Sequence, residues 1–235
     1  MLRFDDVTGG YGERTAFEHV TFELGAGERV ALVGPSGSGK TTIFRLSYGA
    51  FAPQAGRVFV GGRDLASLHG ARLRETRARI AVVFQAHGLV DQLRVWQNVV
   101  AGTFGHRGTV DSIRAVLAPR PAEVASARAA LDRVGLGDRM DSRAFELSGG
   151  QRQRVAIARA IAQRAELVLA DEPAASLDPE LGSEIVDMLL ADAKTRGATL
   201  LCSLHQPDLA RRFDRVIRVG SGTVAPEEPL ASSGL

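Results

Sequence analysis

The run VALVGPSGSGKTTIF, from Val30 to Phe44, constrains the fold of this chain more than any other stretch. Its first four residues predict a buried strand, and Ile43 and Phe44 continue at helical spacing. Between them, Gly34 to Thr41 fits G-x-x-x-x-G-K-S/T, a loop whose glycines let successive backbone N–H groups point at one spot beside a helix N-terminus. The alternative is a flexible glycine and serine connection, which the strand before the loop and the helix after it argue against. The stretch therefore predicts an α/β core with a site for a polyphosphate.

Lysine is rare in this chain, and this makes its place in the loop informative. Of 29 Lys and Arg residues only Lys40 and Lys194 are lysine, so arginine is the usual surface cation. The lysine ammonium is a compact point charge, unlike the planar guanidinium of arginine. Such a charge suits the β- and γ-phosphates of a nucleotide. The hydroxyl of Thr41 suits a Mg²⁺ ion. The predicted nucleotide-binding residues of this loop are Gly34, Pro35, Ser36, Gly37, Ser38, Gly39, Lys40, Thr41 and Thr42.

Length and composition exclude several classes of protein. With 235 residues, 45% of them hydrophobic, the chain is long enough for one large α/β domain. No apolar window approaches the length of a membrane span and the first residues carry no signal-peptide pattern, so we expect a protein that is made and kept in the cytoplasm. The single cysteine, Cys202, excludes an internal disulfide and is expected to be a small buried strand residue.

Charge and polarity give two further expectations. A net charge of +2 is too small to argue for nucleic acid as a partner. The arginines at positions 72, 74, 77 and 79 are expected on a solvated helix face. The final dozen residues, rich in Ser, Pro and Glu, predict a short loose tail.

Apolar patterns on either side of the loop predict further strands. Residues 20–24 alternate in polarity, which predicts an antiparallel sheet beside the core. In this region Tyr11 follows Gly10 in a predicted loop, where an exposed aromatic ring could stack on a purine, although ordinary packing accounts better for a lone tyrosine. The run IAVVFQ predicts a buried strand that brings Gln85 to its carboxyl end, where open α/β sheets place ligands.

From Ala86 to about Gln163 the strand signal disappears and helical periodicity replaces it. This change predicts a helical insertion within the α/β core. Its last helix begins at SGGQ, Ser148 to Gln151, whose S-x-x-Q form is a capping box. A glycine in the first turn costs about 1 kcal/mol against alanine, so two bare glycines predict that something approaches this helix N-terminus closely.

Two adjacent carboxylates, Asp171 and Glu172, end the apolar run LVLADEP. Carboxylates at the end of a buried strand are costly unless a positive group meets them. Asp171 suits the Mg²⁺ ion bound by Thr41, usually through water, and Glu172 suits a general base that polarises an attacking water. The alternative is a pair of solvated loop carboxylates. A further apolar strand, ATLLCSL, brings His205 to its carboxyl end; such a histidine is more often a polar strand-end residue, and only the company of the loop and Glu172 favours a catalytic role.

In combination these motifs resemble the ATP-binding subunits of ABC transporters over nearly the whole chain. LSGGQ, Leu147 to Gln151, is similar to the family signature, GPSGSGKT to its Walker A motif and LVLADE to its Walker B motif. Ser176-Leu177-Asp178 resembles its D-loop, Gln85 its Q-loop, His205 its switch histidine and Tyr11 its adenine-stacking aromatic residue. The motifs stand in the family's order along the chain.

The resemblance implies an α/β fold: a P-loop NTPase (RecA-like) core with an antiparallel β subdomain and an inserted α-helical subdomain. It implies a single ABC ATPase domain over residues 1–235, with the catalytic core and β subdomain in 1–85 and 164–235 and the helical signature subdomain in 86–163. Two copies would sandwich two ATP molecules head to tail, so that each ATP lies between the Walker A loop of one copy and the signature of the other. That arrangement would explain the bare helix N-terminus.

The resemblance also implies site residues and cofactors, which are ATP and Mg²⁺. The implied catalytic residues are Glu172, His205 and Gln85, and the implied Mg²⁺ ligands are Thr41, Gln85 and Asp171. Besides the loop residues given above, the implied ATP contacts are Tyr11, Ser148, Gly149, Gly150 and Gln151.

Two segments outside the catalytic chemistry narrow the resemblance within the family. HGLVDQLRVWQNVVAGTFGHRG after Gln85 and SLHQPDLARRFDRVIRV around His205 are most similar to phosphonate importer ATPases, whereas many other members carry T-H-D at the switch. Phosphite and other oxyanion importers stay open as alternatives, because they can share both segments. Residues 112–125 depart from the family pattern, which weakens inference about the permease contact expected in residues 86–105.

The implied function is import driven by ATP. ATP closes the dimer, the helical insertion pushes on a membrane permease, and hydrolysis reopens it, with a periplasmic or extracellular solute-binding protein as an indirect partner. The subunit is then expected at the cytoplasmic side of the cell membrane, as a peripheral protein without a nucleic-acid partner. Soluble ABC ATPases that act on DNA or ribosomes carry coiled-coil arms, zinc cysteines or two ATPase units, and this chain has one unit, one cysteine and no sustained heptads. An export or lipoprotein-release motor uses the same ATPase parts, and the LHQ segment argues against it.

Overall fold

Two β-sheets of different kinds and a group of helices make up the chain. The structure is a computed structural model, which describes residues 1–12, 14–175 and 177–220, and residues 223–229 for their backbone. Within these ranges the strands are β1 (Leu2–Tyr11), β2 (Arg14–Leu24), β3 (Arg29–Val33), β4 (Ala55–Val60), β5 (Arg63–Asp64), β6 (Ile80–Val83), β7 (Leu167–Ala170), β8 (Thr199–Leu204), β9 (Arg215–Gly220) and β10 (Thr223–Pro229). The helices are α1 (Lys40–Ser47), α2 (Gly70–Ala78), α3 (Val95–Ala101), α4 (Thr109–Leu117), α5 (Pro121–Asp132), α6 (Gly149–Gln163), α7 (Pro179–Arg196) and α8 (Pro207–Ala210).

A six-stranded sheet, in the order β10-β9-β3-β8-β7-β6, forms the core. The pairs from β9 to β6 are parallel, and β10 adds an antiparallel edge. Strands β7 and β8 are buried along their whole length, as expected for continuous apolar runs covered on both faces. In register, Val33 lies beside Leu204, and Ala170 lies between Val83 and Cys202. The segments that follow β3, β6, β7 and β8 therefore all begin at the same side of the sheet, where the carboxyl ends of these parallel strands lie.

The predicted antiparallel sheet is also present, in the order β2-β1-β4-β5. Residues 20–24 bury alternate side chains as predicted, and Phe4 stacks on Phe22 with ring centroids 4.6 Å apart. Its apolar face shares one cluster of buried side chains with α1, including Phe17 and Phe44. The antiparallel sheet thus packs against the helix that follows the phosphate loop.

The expectation that Tyr11 lies in a loop is wrong, because Tyr11 is the last residue of β1 and pairs with Arg14. The strand continues through Gly9 and Gly10 instead of ending before them. A Cβ atom at Gly10 would lie 2.0 Å from the carbonyl oxygen of Arg14, so glycine lets the paired strands approach closely. Irregular register between Val7 and Gly10 absorbs the distortion while the pairing continues.

Helices α3 to α6 fill the region where the sequence predicts a helical insertion. The capping box at the start of α6 is confirmed: the Ser148 hydroxyl accepts from the backbone N–H of Gln151 at 3.3 Å, and the Gln151 side chain accepts from the Ser148 N–H at 3.0 Å. Helix α6 packs against α3, α5 and α7. Its start is therefore fixed both by its own cap and by its neighbours.

Other expectations from composition have mixed outcomes. Arg72, Arg74 and Arg77 are exposed as expected, but Arg79 lies past the end of α2 and pairs with Glu166 at 2.6 Å. Cys202 is buried, and burial raises the pKa of its thiol.

The expected loose tail is wrong for residues 224–229, because these residues belong to β10 and pair with β9. The sheet edge at β9 supplies backbone partners that composition does not reveal. Residues 230–235 lie outside the described residues. Among the helices that the structure describes, none is long and apolar enough to cross a lipid bilayer.

Candidate active site

The phosphate loop lies between β3 and α1 and curls tightly on itself. Gly37 and Gly39 have φ angles of 80° and 99°, in the left-handed region that favours glycine. A Cβ atom at Gly34 would lie 2.2 Å from the carbonyl oxygen of Val219, so the loop also packs against the end of β9. The Ser38 hydroxyl is buried and has no hydrogen-bond partner among the residues that the structure describes. A loop of this shape, with a spare hydroxyl and a helix N-terminus, fits an anionic phosphate.

Lys40 is buried at the mouth of this loop, with 4% of its surface exposed. Its ammonium donates to the carbonyl oxygens of Gly34 at 2.8 Å and Pro35 at 3.1 Å. The same nitrogen lies 3.6 Å from Oε1 of Glu172. A buried ammonium needs such partners, and their position keeps the charge where phosphate oxygens would reach it.

Asp171, the first residue after β7, reaches Thr41 across the sheet edge. Its Oδ1 accepts from the Ser203 hydroxyl at 2.9 Å, and its carboxylate lines the same cavity as the side chain of Thr41. Burial raises the pKa of Asp171, and the nearby hydroxyls of Ser203 and Thr41 oppose that rise. An oxygen pair of a hydroxyl and a carboxylate is a ligand set that Mg²⁺ accepts.

Ser203 is a residue of this site that the sequence reasoning missed. It is fully buried in β8, and its hydroxyl donates to Asp171 and accepts from the backbone N–H of Glu172 at 2.7 Å. Glu172 has a φ of 48°, an uncommon conformation for a residue with a side chain. One hydroxyl thus holds both acidic residues. The signal available in the sequence was a hydroxyl inside the apolar run ATLLCSL.

Glu172 and His205 are brought together, as the interpretation of both as catalytic residues requires. Nε2 of His205 lies 2.6 Å from Oε1 of Glu172, the oxygen that also faces Lys40. The Glu172 side chain is 17% exposed, whereas that of His205 is 38% exposed. The carboxylate therefore lies between two nitrogens with one side open to solvent, where a water molecule can approach.

Gln85 lies in the turn after β6 and lines a cavity of about 730 Å³ together with Thr41 and Asp171. Tyr11 contacts Arg45 and Phe51, two residues that line the same cavity. Its ring is 45% exposed, its centroid is 4.9 Å from that of Phe51, and its hydroxyl accepts from Arg45 at 3.0 Å. The structure gives Tyr11 packing partners as well as an exposed ring face, so its stacking on a purine stays a prediction.

The signature residues belong to a different part of the chain, at the start of α6. Ser148 and Gly149 are exposed, and a Cβ atom at Gly149 would meet nothing within 4 Å. Gly150 is buried, and a Cβ there would lie 2.3 Å from Leu181 of α7. Glycine is thus needed at the two positions for different reasons. Gly150 allows close packing within the chain, and only Gly149 leaves an open helix N-terminus. Ser176, from the motif similar to the D-loop, lies outside the described residues.

Comparison with known proteins agrees with these features. A family model described as ABC transporter matches residues 17–175. A phosphonates import ATP-binding protein of Frankia casuarinae is 46% identical over 225 residues, which cover 95% of this chain and 88% of that protein. A protein of the same description from Nitratidesulfovibrio vulgaris is 43% identical over 213 residues, covering 90% of this chain and 79% of the relative.

Solved structures show the same relationship. The dimeric structure of a bacterial ABC transporter cassette is 31% identical, with a TM-score of 0.86 and coverage of 99% of this chain and 100% of that chain. The dimeric structure of a post-hydrolysis state of an ATP-binding cassette bound to ADP and Pi is 30% identical, with a TM-score of 0.85 and the same coverage. Since the family model and these relatives cover most of the chain, and the phosphate loop and paired acids have the geometry described above, the chain belongs to the ABC transporter family of ATPases.

Proposed function

We propose that this chain is the ATP-hydrolysing subunit of an ABC import system and that it energises uptake of phosphonates, or of a related oxyanion, through a membrane permease. The observation that carries the ATPase part is the placement of Lys40 and His205 on the same carboxylate oxygen of Glu172, at the mouth of the phosphate loop. The names of the relatives, at 43% and 46% identity over most of the chain, support the importer part.

The residues at the sheet edge fit ATP and Mg²⁺. Thr41 and Asp171, with Gln85 beside them, would hold Mg²⁺, which neutralises charge on the β- and γ-phosphates when it is bound. Lys40 exchanges the loop carbonyls for phosphate oxygens. The Ser38 hydroxyl, which has no partner among the described residues, is a further hydrogen-bonding group for the same phosphate. In this proposal Tyr11 stacks on the adenine from the exposed side of its ring.

Glu172 acts as the general base. Its carboxylate accepts a hydrogen bond from the attacking water and takes up its proton, while the Ser203 hydroxyl fixes its backbone. His205 holds the Oε1 atom of Glu172 and so aims the second carboxylate oxygen. Gln85, at the open end of the cavity, senses the γ-phosphate and stays in reach of Mg²⁺.

Two copies of the chain complete each ATP site. The open N-terminus of α6, at Ser148 and Gly149, supplies N–H groups and a partial positive charge, and no described residue lies within 4 Å of where a Cβ atom of Gly149 would be. The dimeric cassettes among the solved relatives support this assembly. Gln151 serves the same site indirectly, because it caps the helix start.

The permease contact is proposed for residues 86–105 and the adjoining cavity. Val90 in this segment and Phe84 just before it are exposed apolar residues, at 54% and 39%, and Phe84 lines the same cavity as Gln85. The subunit then lies at the cytoplasmic side of the membrane as a peripheral protein, and it meets a solute-binding protein only through the permease. We also propose the division into a catalytic core with its β subdomain (1–85 and 164–235) and a helical subdomain (86–163).

The test is to purify the subunit with its permease and solute-binding protein in lipid vesicles and to measure ATP hydrolysis with alkylphosphonate, phosphite, phosphate or sulfate outside. The proposal expects the largest stimulation with alkylphosphonate or phosphite, and no hydrolysis from a matched complex that carries Glu172→Gln. Stimulation by sulfate alone, or hydrolysis by the Glu172→Gln complex, would contradict it.

A further inference from the structure

The segment just after Gln85 is held by the signature helix α6 of the same chain. Nδ1 of His87 lies 2.5 Å from Oε1 of Gln153. Arg159, further along α6, donates to the carbonyl oxygen of His87 at 3.0 Å and to that of Gly88 at 2.5 Å. The His87 side chain and the backbone of His87 and Gly88 are thus all bound to α6.

These contacts are made by buried and constrained groups. Gln153 is only 1% exposed, and its Nε2 has no hydrogen-bond partner among the residues that the structure describes. His87 has a φ of 60°, so its backbone needs outside support to stay in the left-handed region. A Cβ atom at Gly102 would lie 2.6 Å from the carbonyl oxygen of Arg159, which shows how closely α6 and the end of α3 approach. Helix α6 is therefore closely packed where it makes this contact.

The contact matters because Gln153 lies close to the start of α6. Gln153 lies four residues after Gly149, so the two residues share a face one helical turn apart. In the proposed dimer Gln85 faces the ATP bound by its own chain, whereas Gly149 faces the ATP bound by the partner. A shift of residues 85–88 therefore reaches the helix start that belongs to the other site.

We propose that His87, Gln153 and Arg159 form a latch that couples the two ATP sites. The latch sets the position of the α6 N-terminus according to the position of Gln85. The unpartnered Nε2 of Gln153 gives it a second arrangement, because a shifted loop can supply the missing acceptor. This inference rests on the shared site of the proposed function. The three latch residues are positioning residues, since they act through Gln85 and the helix start.

The experiment removes the contact by substituting Gln153 or His87 and compares these variants with a similar substitution elsewhere on the same helix. Gln153→Met keeps the volume and removes the hydrogen bond. His87→Gly removes the ring without backbone strain, and His87→Asn keeps a side-chain donor and tolerates a positive φ. Gln163→Met is the matched control, because Gln163 also lies on α6 and donates to the carbonyl oxygens of Ala78 and Ile80 at 3.1 and 2.7 Å.

The readouts are the rate of ATP hydrolysis against ATP concentration, ATP binding to the isolated subunit, and Tm. Gln153→Met and His87→Gly are expected to lower kcat by about tenfold and to bring the Hill coefficient to about 1, while ATP binding to the single subunit changes by less than about twofold. Gln163→Met is expected to lower Tm yet keep the Hill coefficient of the unmodified protein. His87→Asn is expected to retain the coupling.

Unchanged kcat and Hill coefficient in both latch variants would overturn the inference, and so would an equal loss of coupling in Gln163→Met. Ser148→Arg, measured beside them, separates this failure from that of the proposed function. If Ser148→Arg abolishes hydrolysis while the latch variants behave as the unmodified protein, only the latch is wrong. If Ser148→Arg leaves hydrolysis intact, the shared site is wrong and the latch is refuted with it.

Discussion

Replacing Ser203 by alanine tests how the two acidic residues are held. The Ser203 hydroxyl donates to Asp171 at 2.9 Å and accepts from the N–H of Glu172 at 2.7 Å, and nothing but a methyl group would take its place. A hydrogen bond to a charged group contributes about 1.5–3 kcal/mol, and a buried N–H left without an acceptor adds about 1–3 kcal/mol. With partial relaxation we expect a loss of about 3 kcal/mol in the free energy of unfolding, which lowers Tm by about 6–12 °C in a chain of this length.

The effect on hydrolysis is expected to exceed the effect on ATP binding. Glu172 keeps its φ of 48° against a cost of about 1–2 kcal/mol for a residue with a side chain, and Ser203 holds that backbone. A displacement of about 1 Å in a reacting group can cost about 100-fold in rate, so Ser203→Ala should lower kcat by about 10- to 100-fold. Lys40 and the phosphate loop are untouched, so KM for ATP should change by less than about threefold.

The assay is steady-state ATP hydrolysis with thermal unfolding of the same preparations, and Ser47→Ala is the control. Ser47 is another fully buried serine, whose hydroxyl donates to the carbonyl oxygen of Ile43 at 2.8 Å inside α1. Its loss should cost about 1 kcal/mol and leave kcat within about twofold. A Ser203→Ala protein with a lowered Tm but the kcat of the control would refute the positioning role of Ser203.

Three further predictions concern the signature glycines, the Walker B aspartate and an ion pair between α4 and α5. Gly150→Ala should lose about 1–3 kcal/mol of stability by overpacking, whereas Gly149→Ala should keep or raise Tm and weaken ATP-driven dimerisation; equal Tm values would contradict the packing difference. Burial raises the pKa of Asp171, so the folded chain binds this proton more tightly than the unfolded chain and stability falls as pH rises through the raised pKa. Asp171→Asn should therefore raise Tm at pH 7 while Mg²⁺-dependent hydrolysis is lost. A lower Tm of the variant in calorimetry would contradict the idea that the buried Asp171 carboxylate destabilises the fold. Arg114 holds the pKa of Glu123 far below its usual range, so the stability it gives is present above about pH 4.5 and falls in acid; Glu123→Gln should lower Tm at pH 7 and reduce the acid decline, as a pH series of melting curves would show.

The parts of the site that could be predicted are those written in local sequence. The glycine spacing of the phosphate loop, the apolar runs of β3 and β7, and the S-x-x-Q cap of α6 each depend on residues within a few positions of one another. For this reason the loop, the paired acids and the helix start lie where the sequence places them. The parallel order of the strands then brings Asp171 to Thr41 and Glu172 to His205.

The parts that could not be predicted depend on which elements become neighbours. The hydroxyl of Ser203 matters only because β8 lies beside β7. Likewise Gly150 is required by Leu181, and β10 exists because the edge of β9 offers backbone partners. The contact between His87 and Gln153 joins residues 66 positions apart. None of these distances can be read from periodicity, which reports only the face that a residue occupies within its own element.

In the proposed assembly each ATP is held by two copies of this chain, and the mass of the Glu172→Gln protein tests this most directly. Light scattering after size exclusion, with bound ATP measured in the same fractions, gives the assembly state. The account predicts that ATP doubles the mass from the 25.0 kDa of one chain, and that adding Ser148→Arg returns it to one chain with ATP still bound. A Glu172→Gln protein that binds ATP and stays at 25.0 kDa would contradict the account.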